Sequence, residues 1–235
     1  MNQFAATMPE AYGSLYGTGE VAEHAAIASR RGSRLVHAEL WQSAKGPRLC
    51  VVDEDRPGLL ALVTDALLAQ GMGIQSARAF GRVVGKDQFE AVDFLELRAL
   101  RGPGGAQLDG EGLQAFAASL GELIAADMAP SATDGTPSVV PAETAPSTRV
   151  YFERQQPADG RYLLVVDAPD SDGLLHAVCA VLHAKGLRIM ACEIRTVGGR
   201  ACDRFEVEPS SPRGLSDSEL CDVQLTVLGS LPSGR

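Results

Sequence analysis

An internal repeat restricts the possible folds of this chain more than any other feature of its sequence. Shifting the sequence by 115 residues aligns residues 34–40 with residues 149–155, and the alignment continues without a gap to Ile74 and Ile189. The matched residues include Asp55 with Asp170, Gly58 with Gly173, and Gly71 with Gly186. Past residues 81–85 the offset drops to 110. The chain therefore carries two copies of one unit of about 100 residues, which is a common domain size.

Each copy predicts the same order of secondary structure elements, strand, strand, helix, strand, strand, helix, which is an α+β fold. The leading strands fall at residues 34–41, 48–52, 149–154 and 162–167. The helices fall at residues 59–70, 111–128, 174–185 and about 217–229. Gly71 and Gly186 end the first helix of each copy.

That order predicts how the strands are arranged. In a ferredoxin-like βαββαβ unit the last strand lies beside the first, and a hairpin partner placed before the first strand can occupy the same position. Only SLPSGR follows the final helix, which is too short for a closing strand. We predict two ferredoxin-like units permuted to ββαββα, each with a four-stranded antiparallel sheet covered on one face by two helices. Because each unit leaves a sheet edge, we expect the two to associate, within the chain or as a homodimer.

The remaining segments delimit the domains. Residues 1–33 are predicted to be an extension with one short helix, at residues 20–30. The first unit, here called the first repeat, spans residues 34–128, and the second repeat spans residues 148–235. Between them, residues 129–147 are rich in Pro, Ser, Thr and Ala and are predicted to be a linker.

Composition excludes several classes of function. The net charge is −9 and no basic cluster is longer than Arg30 and Arg31, so neither nucleic acid nor a membrane is an expected partner. Five cysteines without a CxxC motif, the lack of a signal segment and the lack of an apolar run near ~18 residues predict a cytoplasmic protein with reduced thiols. GxSxG, HExxH and GxxxxGK motifs are absent, so we expect no enzyme and no cofactor.

Two further groups of polar residues are assigned structural positions. One side of the predicted helix carries His176, Cys179 and His183, but a fourth ligand is lacking, so no metal site is expected. Acids three apart on a strand point to opposite faces and do not form an acid/base pair. The following four acids are expected at alternate strand positions facing water: Asp93, Glu96, Asp203 and Glu206.

The segment VVDEDRPGLL, residues 51–60, carries the chemistry of this sequence. Pro57 restricts φ and Gly58 removes side-chain bulk, so the chain turns tightly and the first helical N–H groups can bind a carboxylate. Asp55 supplies the opposite charge for an α-ammonium group, and Asp53 projects from the same strand face. This corner therefore suits an amino-acid zwitterion. The alternative is a purely structural turn, with Asp55 as the helix N-cap and Arg56 in solvent.

The segment DEDRPGLLALVTDALLAQGMGIQSARAF, residues 53–80, is similar to the ACT domain, in which a D/N-RPG-L corner is followed by a helix, a glycine and a strand. The tandem copies and the upstream MPEAY and EVAEHA segments more specifically resemble the carboxy-terminal regulatory region of PII uridylyltransferases. The resemblance implies a regulatory region without catalytic domains, glutamine as the first candidate ligand and a nitrogen-regulation enzyme as the partner.

The ligand is predicted at the corner of the first repeat. In the second repeat Ser171 and Asp172 replace Arg-Pro, and Asp172 adds negative charge where a carboxylate would dock. The facing wall is predicted at residues 73–77, where Gly73 leaves room and either Gln75 or Ser76 lines the site. The predicted ligand-binding residues are Asp53, Asp55, Arg56, Pro57, Gly58, Leu59, Leu60, Gly73, Gln75 and Ser76. The residues of the second, degenerate site are Asp170, Gly173, Leu174 and Leu175.

We therefore predict a non-catalytic regulatory sensor that binds a small ligand, an amino acid, and relays its occupancy to a partner protein. One alternative is an interaction module without a ligand, which dimerises or docks on an enzyme through its exposed sheet edges. A phosphoreceiver fits less well, because Glu96 would stand at the acceptor position and no Lys lies between Lys86 and Lys185.

Overall fold

The structure is a computed structural model that describes residues 3–43, 46–86, 88–100, 108–128, 147–153, 160–211 and 213–232. Its helices are α1 (Gln3–Thr7), α2 (Glu10–Gly13), α3 (Thr18–Arg31), α4 (Leu59–Ala69), α5 (Gly110–Asp127), α6 (Leu174–Ala184) and α7 (Asp217–Ser230). Its strands are β1 (Val36–Ser43), β2 (Gly46–Glu54), β3 (Met72–Gly85), β4 (Gln88–Ala99), β5 (Arg149–Phe152), β6 (Tyr162–Pro169), β7 (Leu187–Val197) and β8 (Arg200–Pro209). The predicted linker lies outside the described residues, except for Ser147.

The strands form one antiparallel sheet in the order β1-β2-β4-β3-β7-β8-β6-β5. Within each repeat the element order is ββαββα, as predicted from the sequence. The leading strand pairs with the second strand in both repeats, for example Val36 with Asp53 and Val150 with Val166. In both repeats the two paired strands are neighbours in the sequence, which is why local sequence signals predicted their pairing correctly.

The two repeats associate within the chain, as expected from their exposed edges. Strands β3 and β7 pair from Ser76 opposite Arg195 to Phe80 opposite Ala191, which joins two four-stranded halves into one sheet. Helices α4 and α6 also contact each other across the junction. Because β3 and β7 run antiparallel, each repeat faces the other around a pseudo-two-fold axis, and equivalent segments lie on opposite sides of the junction.

Helices α4, α5, α6 and α7 cover one face of the sheet. Their apolar side chains form a single core with the inward residues of both repeats, including Leu67, Phe116, Leu182 and Phe205. The alternation of strand residues places Leu95 in this core and its neighbour Phe94 on the opposite face. Each repeat therefore shares its core with the other repeat.

The opposite face of the first repeat is covered by the N-terminal residues. The sequence predicted one helix there, at residues 20–30, whereas the structure has three, α1, α2 and α3. They form a second core with the sheet, in which Tyr12, Trp41 and Phe94 are buried. Helices of four or five residues are too short to show an apolar period, which is why α1 and α2 were missed.

Candidate functional site

Two related clefts lie at the junction of the repeats. The first cleft is formed by the corner before α4 in the first repeat and by α6 and β7 of the second repeat, and its lining includes Asp55, Gly58, Asp93, His183 and Ile189. The second cleft is formed by the corner before α6 and by α4, β3 and β4 of the first repeat, and its lining includes Gly73, Arg98, Asp170, Ser171 and Asp203. The antiparallel β3–β7 contact thus places each corner against the opposite repeat.

Both corners need a glycine at the helix N-cap. Gly58 has a φ of +81° and Gly173 a φ of +83°, a left-handed conformation that strains residues with a Cβ. A Cβ at Gly58 would also lie 2.8 Å from Nδ1 of His183, whereas a Cβ at Gly173 would meet no atom within 4 Å among the described residues. Gly58 therefore allows the close approach of the second repeat to the first corner.

The Asp55 side chain does not cap α4, so the alternative of a purely structural turn with Asp55 as the helix N-cap is wrong on this point. The N-cap is Gly58 and makes no side-chain cap hydrogen bond. The Asp55 carboxylate instead accepts a hydrogen bond from Arg188, which comes from β7 of the other repeat. Arg56 is mostly buried and pairs with Asp53 across 3.3 Å, so it does not lie in solvent as that alternative assumed. Burial raises the pKa of Asp55, and Arg188 and Arg56 act in the opposite direction.

A buried acid lies at the floor of each cleft. Asp93 and Asp203 occupy equivalent positions in the repeats and are only 3% and 1% exposed, so the prediction that they face water was wrong. Alternation placed them correctly on the face opposite Glu96 and Glu206, but that face is the one that the helices cover. Burial raises the pKa of Asp93 well above its usual value, and it raises the pKa of Asp203 to about 7.

The second cleft contains several buried polar atoms without partners. Arg98 Nε, Ser171 Oγ and Asp203 Oδ2 have no hydrogen-bond partner among the described residues. Arg98 pairs with Asp172 at 2.9 Å and approaches Asp170 at 3.6 Å, so the negative charge predicted to repel a ligand carboxylate is matched by an arginine. The other Asp203 oxygen accepts a hydrogen bond from the Arg195 backbone N–H at 3.2 Å. The cleft therefore holds one cation, several acids and unsatisfied hydrogen-bonding groups.

The predicted facing wall of the first corner is wrong. Gly73 lies in the second cleft, where a Cβ would be 2.8 Å from Leu100 Cδ2 and 3.5 Å from Arg98 Cζ. Gln75 is exposed next to a β-bulge, and Ser76 lies on the other sheet face, where it donates to Glu96 at 2.8 Å. The reason is topological, because β3 and β7 run antiparallel. The start of β3, with Gly73, lies at the corner of the second repeat, and the start of β7, with Ile189, lies at the corner of the first.

The other predicted residues lie at or near their corners. Leu59 and Leu60 line the first cleft together with Asp55, Arg56 and Gly58. The predicted residues of the degenerate site also lie together, because Asp170, Gly173, Leu174 and Leu175 all line the second cleft. Asp53 lies behind the first corner against Arg56, and Pro57 lines an adjoining groove that also contains Arg188. Whether any of these residues binds a ligand stays a prediction.

Sequence reasoning missed the residues that each repeat contributes to the other corner. Arg188 is the repeat counterpart of Gly73, and Arg98 is the counterpart of Glu208. Each corner thus receives an arginine from a position where the two repeats differ in charge. A difference in charge between aligned positions of the two repeats points to these arginines, but it can be interpreted only when the antiparallel packing of the repeats is known.

Comparison with known proteins finds relatives of one kind. The chain is 30% identical over 206 residues to the bifunctional uridylyltransferase/uridylyl-removing enzyme of Xanthomonas oryzae pv. oryzae (strain MAFF 311018), which covers 80% of this chain and 22% of that enzyme. It is 27% identical over 228 residues to the enzyme of the same name from Phenylobacterium zucineum (strain HLK1), covering 92% of this chain and 23% of the enzyme. The chain spans less than a quarter of the length of these relatives and resembles one region of them.

No protein-family model matches the chain, and no solved structure matches it. Across the described part of the chain, no group of three or more His, Cys, Asp or Glu side chains is arranged to hold a metal ion. No helix in that part is long and apolar enough to cross a membrane.

Proposed function

We propose that this chain is a non-catalytic regulatory module of two ACT-like, permuted ferredoxin-like repeats, which binds an amino acid between them and relays its occupancy to a partner. The domain boundaries predicted from the sequence are part of this proposal. The similarity to one region of a bifunctional enzyme supports a role in regulating that kind of activity. Glutamine is the first ligand to test, and this choice rests on the family resemblance alone.

The second cleft carries the proposal. Its unpartnered Arg98 Nε is a donor for a ligand carboxylate, and the acids Asp170 and Asp203 are acceptors for an α-ammonium group. A buried polar atom without a partner costs about 1–3 kcal/mol, so a ligand that supplies complementary groups recovers that energy on binding. The sequence favoured the first corner, and the geometry favours its counterpart.

The first corner offers the same chemistry in a closed form. Asp55 pairs there with Arg188, which lines the groove adjoining the first cleft, and an amino acid can replace this internal ion pair by placing its carboxylate on Arg188 and its ammonium group on Asp55. The exchange conserves the number of charged contacts, so it costs less than opening an ion pair without replacement. The first corner therefore remains the second candidate site.

A chain of contacts supports the relay from the first cleft. Arg188 stacks over the Phe89 ring, with 4.5 Å between the guanidinium carbon and the ring centroid, and the Phe89 carbonyl accepts the Asp55 N–H at 3.0 Å. The next residue, Glu90, is buried and pairs with Arg31 of α3 at 2.9 Å. A ligand that draws Arg188 away from Asp55 also changes the contact of Arg188 with Phe89. Phe89 is the sequence neighbour of Glu90, which contacts Arg31 of the N-terminal helix α3. The proposed partners are a second copy of the chain or a nitrogen-regulation enzyme.

Calorimetric titration of the full chain with the twenty amino acids tests the proposal. Glutamine, or another single amino acid, should bind, and Asp170→Ala should weaken that binding roughly ten- to a hundred-fold, as expected for the loss of about 1.5–3 kcal/mol from a charged hydrogen bond. Asp222→Asn is the control, because Asp222 is an exposed acid of the same repeat that pairs with Lys185 on the surface.

The outcomes separate the candidate sites. Binding that is lost in Asp55→Ala and unchanged in Asp170→Ala would place the ligand in the first cleft. Binding of no amino acid at about millimolar concentration would refute the sensor and leave the interaction module without a ligand.

A further inference from the structure

A third cavity lies on the sheet face opposite α4–α7. It forms where the connection between α2 and α3 lies near the junction of β3 and β7, and its lining includes Tyr16, Trp41, Arg48, Arg78 and Glu193. It encloses about 1160 Å³ of empty space, counting the part open to solvent, against about 450 and 470 Å³ in the two clefts. The sheet separates this tyrosine–arginine cavity from the proposed amino-acid sites.

The acceptor groups of the cavity already have partners. Glu20 accepts the Gly17 backbone N–H at 2.9 Å. Glu96 accepts hydrogen bonds from the Ser76 hydroxyl and from Arg48. These carboxylates are therefore engaged within the protein and do not require a ligand. Glu193 is likewise engaged, because Arg78 donates to it at 2.6 Å and Arg195 pairs with the same oxygen.

The atoms left without a partner in the cavity walls are donors. Tyr16 Oη and Arg48 Nε are buried and have no hydrogen-bond partner within the described ranges. Burial raises the pKa of Tyr16 to about 12, although the guanidinium groups of Arg78 and Arg48 lie near enough to lower it. The hydroxyl therefore keeps its proton at neutral pH and lies in the field of two arginines. Donors near positive charge are complementary to an anionic acceptor.

We propose that the tyrosine–arginine cavity binds an oxyanion, the phosphate or carboxylate group of a small ligand, through the Tyr16 hydroxyl and the Arg48 guanidinium. Arg78 contributes charge from β3, where its ion pair with Glu193 holds it in place. A small opening of the wall brings the oxyanion to both donors, and binding satisfies two buried atoms, Tyr16 Oη and Arg48 Nε, that have no partner among the described residues. The site requires α2 and α3 to be packed on the sheet, because Tyr16 lies in the segment that connects them.

Titration of the full chain with inorganic phosphate and, separately, with succinate tests this site at constant ionic strength, which keeps screening equal. We expect one of the two probes to bind, and the tighter one identifies the oxyanion. Tyr16→Phe should weaken binding about ten-fold, and Arg48→Gln by at least as much. Tyr151→Phe is the matched control, because Tyr151 is an exposed tyrosine of the same sheet.

Tyr16→Phe removes a buried hydroxyl that has no partner among the described residues, so the melting temperature of the variant should equal or exceed that of the wild type. Weaker binding by a variant of that stability cannot be due to a folding defect. The proposal is overturned if neither probe binds below about 10 mM, or if Tyr16→Phe and Arg48→Gln both bind like the wild type. It is also overturned if Arg98→Gln abolishes binding of the probe, because the anion would then occupy the second cleft, where Arg98 is the cation.

Discussion

The buried carboxyl group of Asp203 should make the stability of this protein depend on pH. Its folded-state pKa is about 7, raised from 3.8 by burial, with the Arg195 backbone N–H acting in the opposite direction. An acid whose pKa is raised on folding binds its proton more tightly in the folded state. Its contribution to stability therefore grows as the pH falls through about 7, and it is lost as the pH rises through that value.

The magnitude follows from the two pKa values. Between about pH 5 and about pH 8, the proton linkage of Asp203 lowers the free energy of unfolding by about 2–3 kcal/mol. Asp203→Asn removes this linkage and keeps an oxygen that can accept the Arg195 N–H. As the pH rises from about 5 to about 8, the free energy of unfolding of the variant should therefore increase by about that amount relative to that of the wild type.

Urea unfolding at a series of pH values, analysed by linear extrapolation, measures this difference. Asp222→Asn serves as the control, because it removes an exposed carboxylate from the same repeat. The burial argument would be refuted if the free energies of unfolding of Asp203→Asn and the wild type ran parallel from about pH 5 to about pH 8.

Two further predictions concern the contacts that join the elements. In urea unfolding, Gly58→Ala should destabilise the protein by about 1–3 kcal/mol more than Gly173→Ala, because only the Cβ added at position 58 meets a side chain, that of His183. Equal losses in the two variants would contradict this, and so would a difference that persists when His183 is also replaced by Ala. Glu90→Gln should lower the free energy of unfolding by about 2–4 kcal/mol, because it removes the buried carboxylate that pairs with two arginines. Glu39→Gln, at a more exposed ion pair, should lower it by under about 1 kcal/mol, and similar losses in the two variants would count against a structural role for Glu90.

Much of the fold could be predicted from the sequence, because the signals are local. The strand pairing of each leading hairpin follows from two apolar segments that are neighbours in the sequence, and α4 and α6 end just before Gly71 and Gly186, as predicted. The repeat doubled each of these signals. The capping box formed by Ser216 and Glu219 at the start of α7 is local in the same way, because its two residues are three apart in the sequence.

The candidate site was predicted less completely, because its walls come from distant parts of the chain. Alternation showed that Asp93 and Glu96 point to opposite faces, but it did not show which face the helices cover. The wall predicted at residues 73–77 assumed that each corner faces its own repeat. The structure pairs Asp55 with Arg188 instead, 133 residues away in sequence.

By itself, the sequence determined the repeat, the ββαββα order and the two glycine corners, since each depends on residues that are near one another or on the comparison of two copies. Only the tertiary structure decided that β3 joins β7, that each corner receives its arginine from the opposite repeat, and that two equivalent aspartates are buried. Antiparallel packing of the repeats produces all three results, and the free energy of that packing is a sum over contacts between residues far apart in the chain. No local pattern in the sequence reports such a sum.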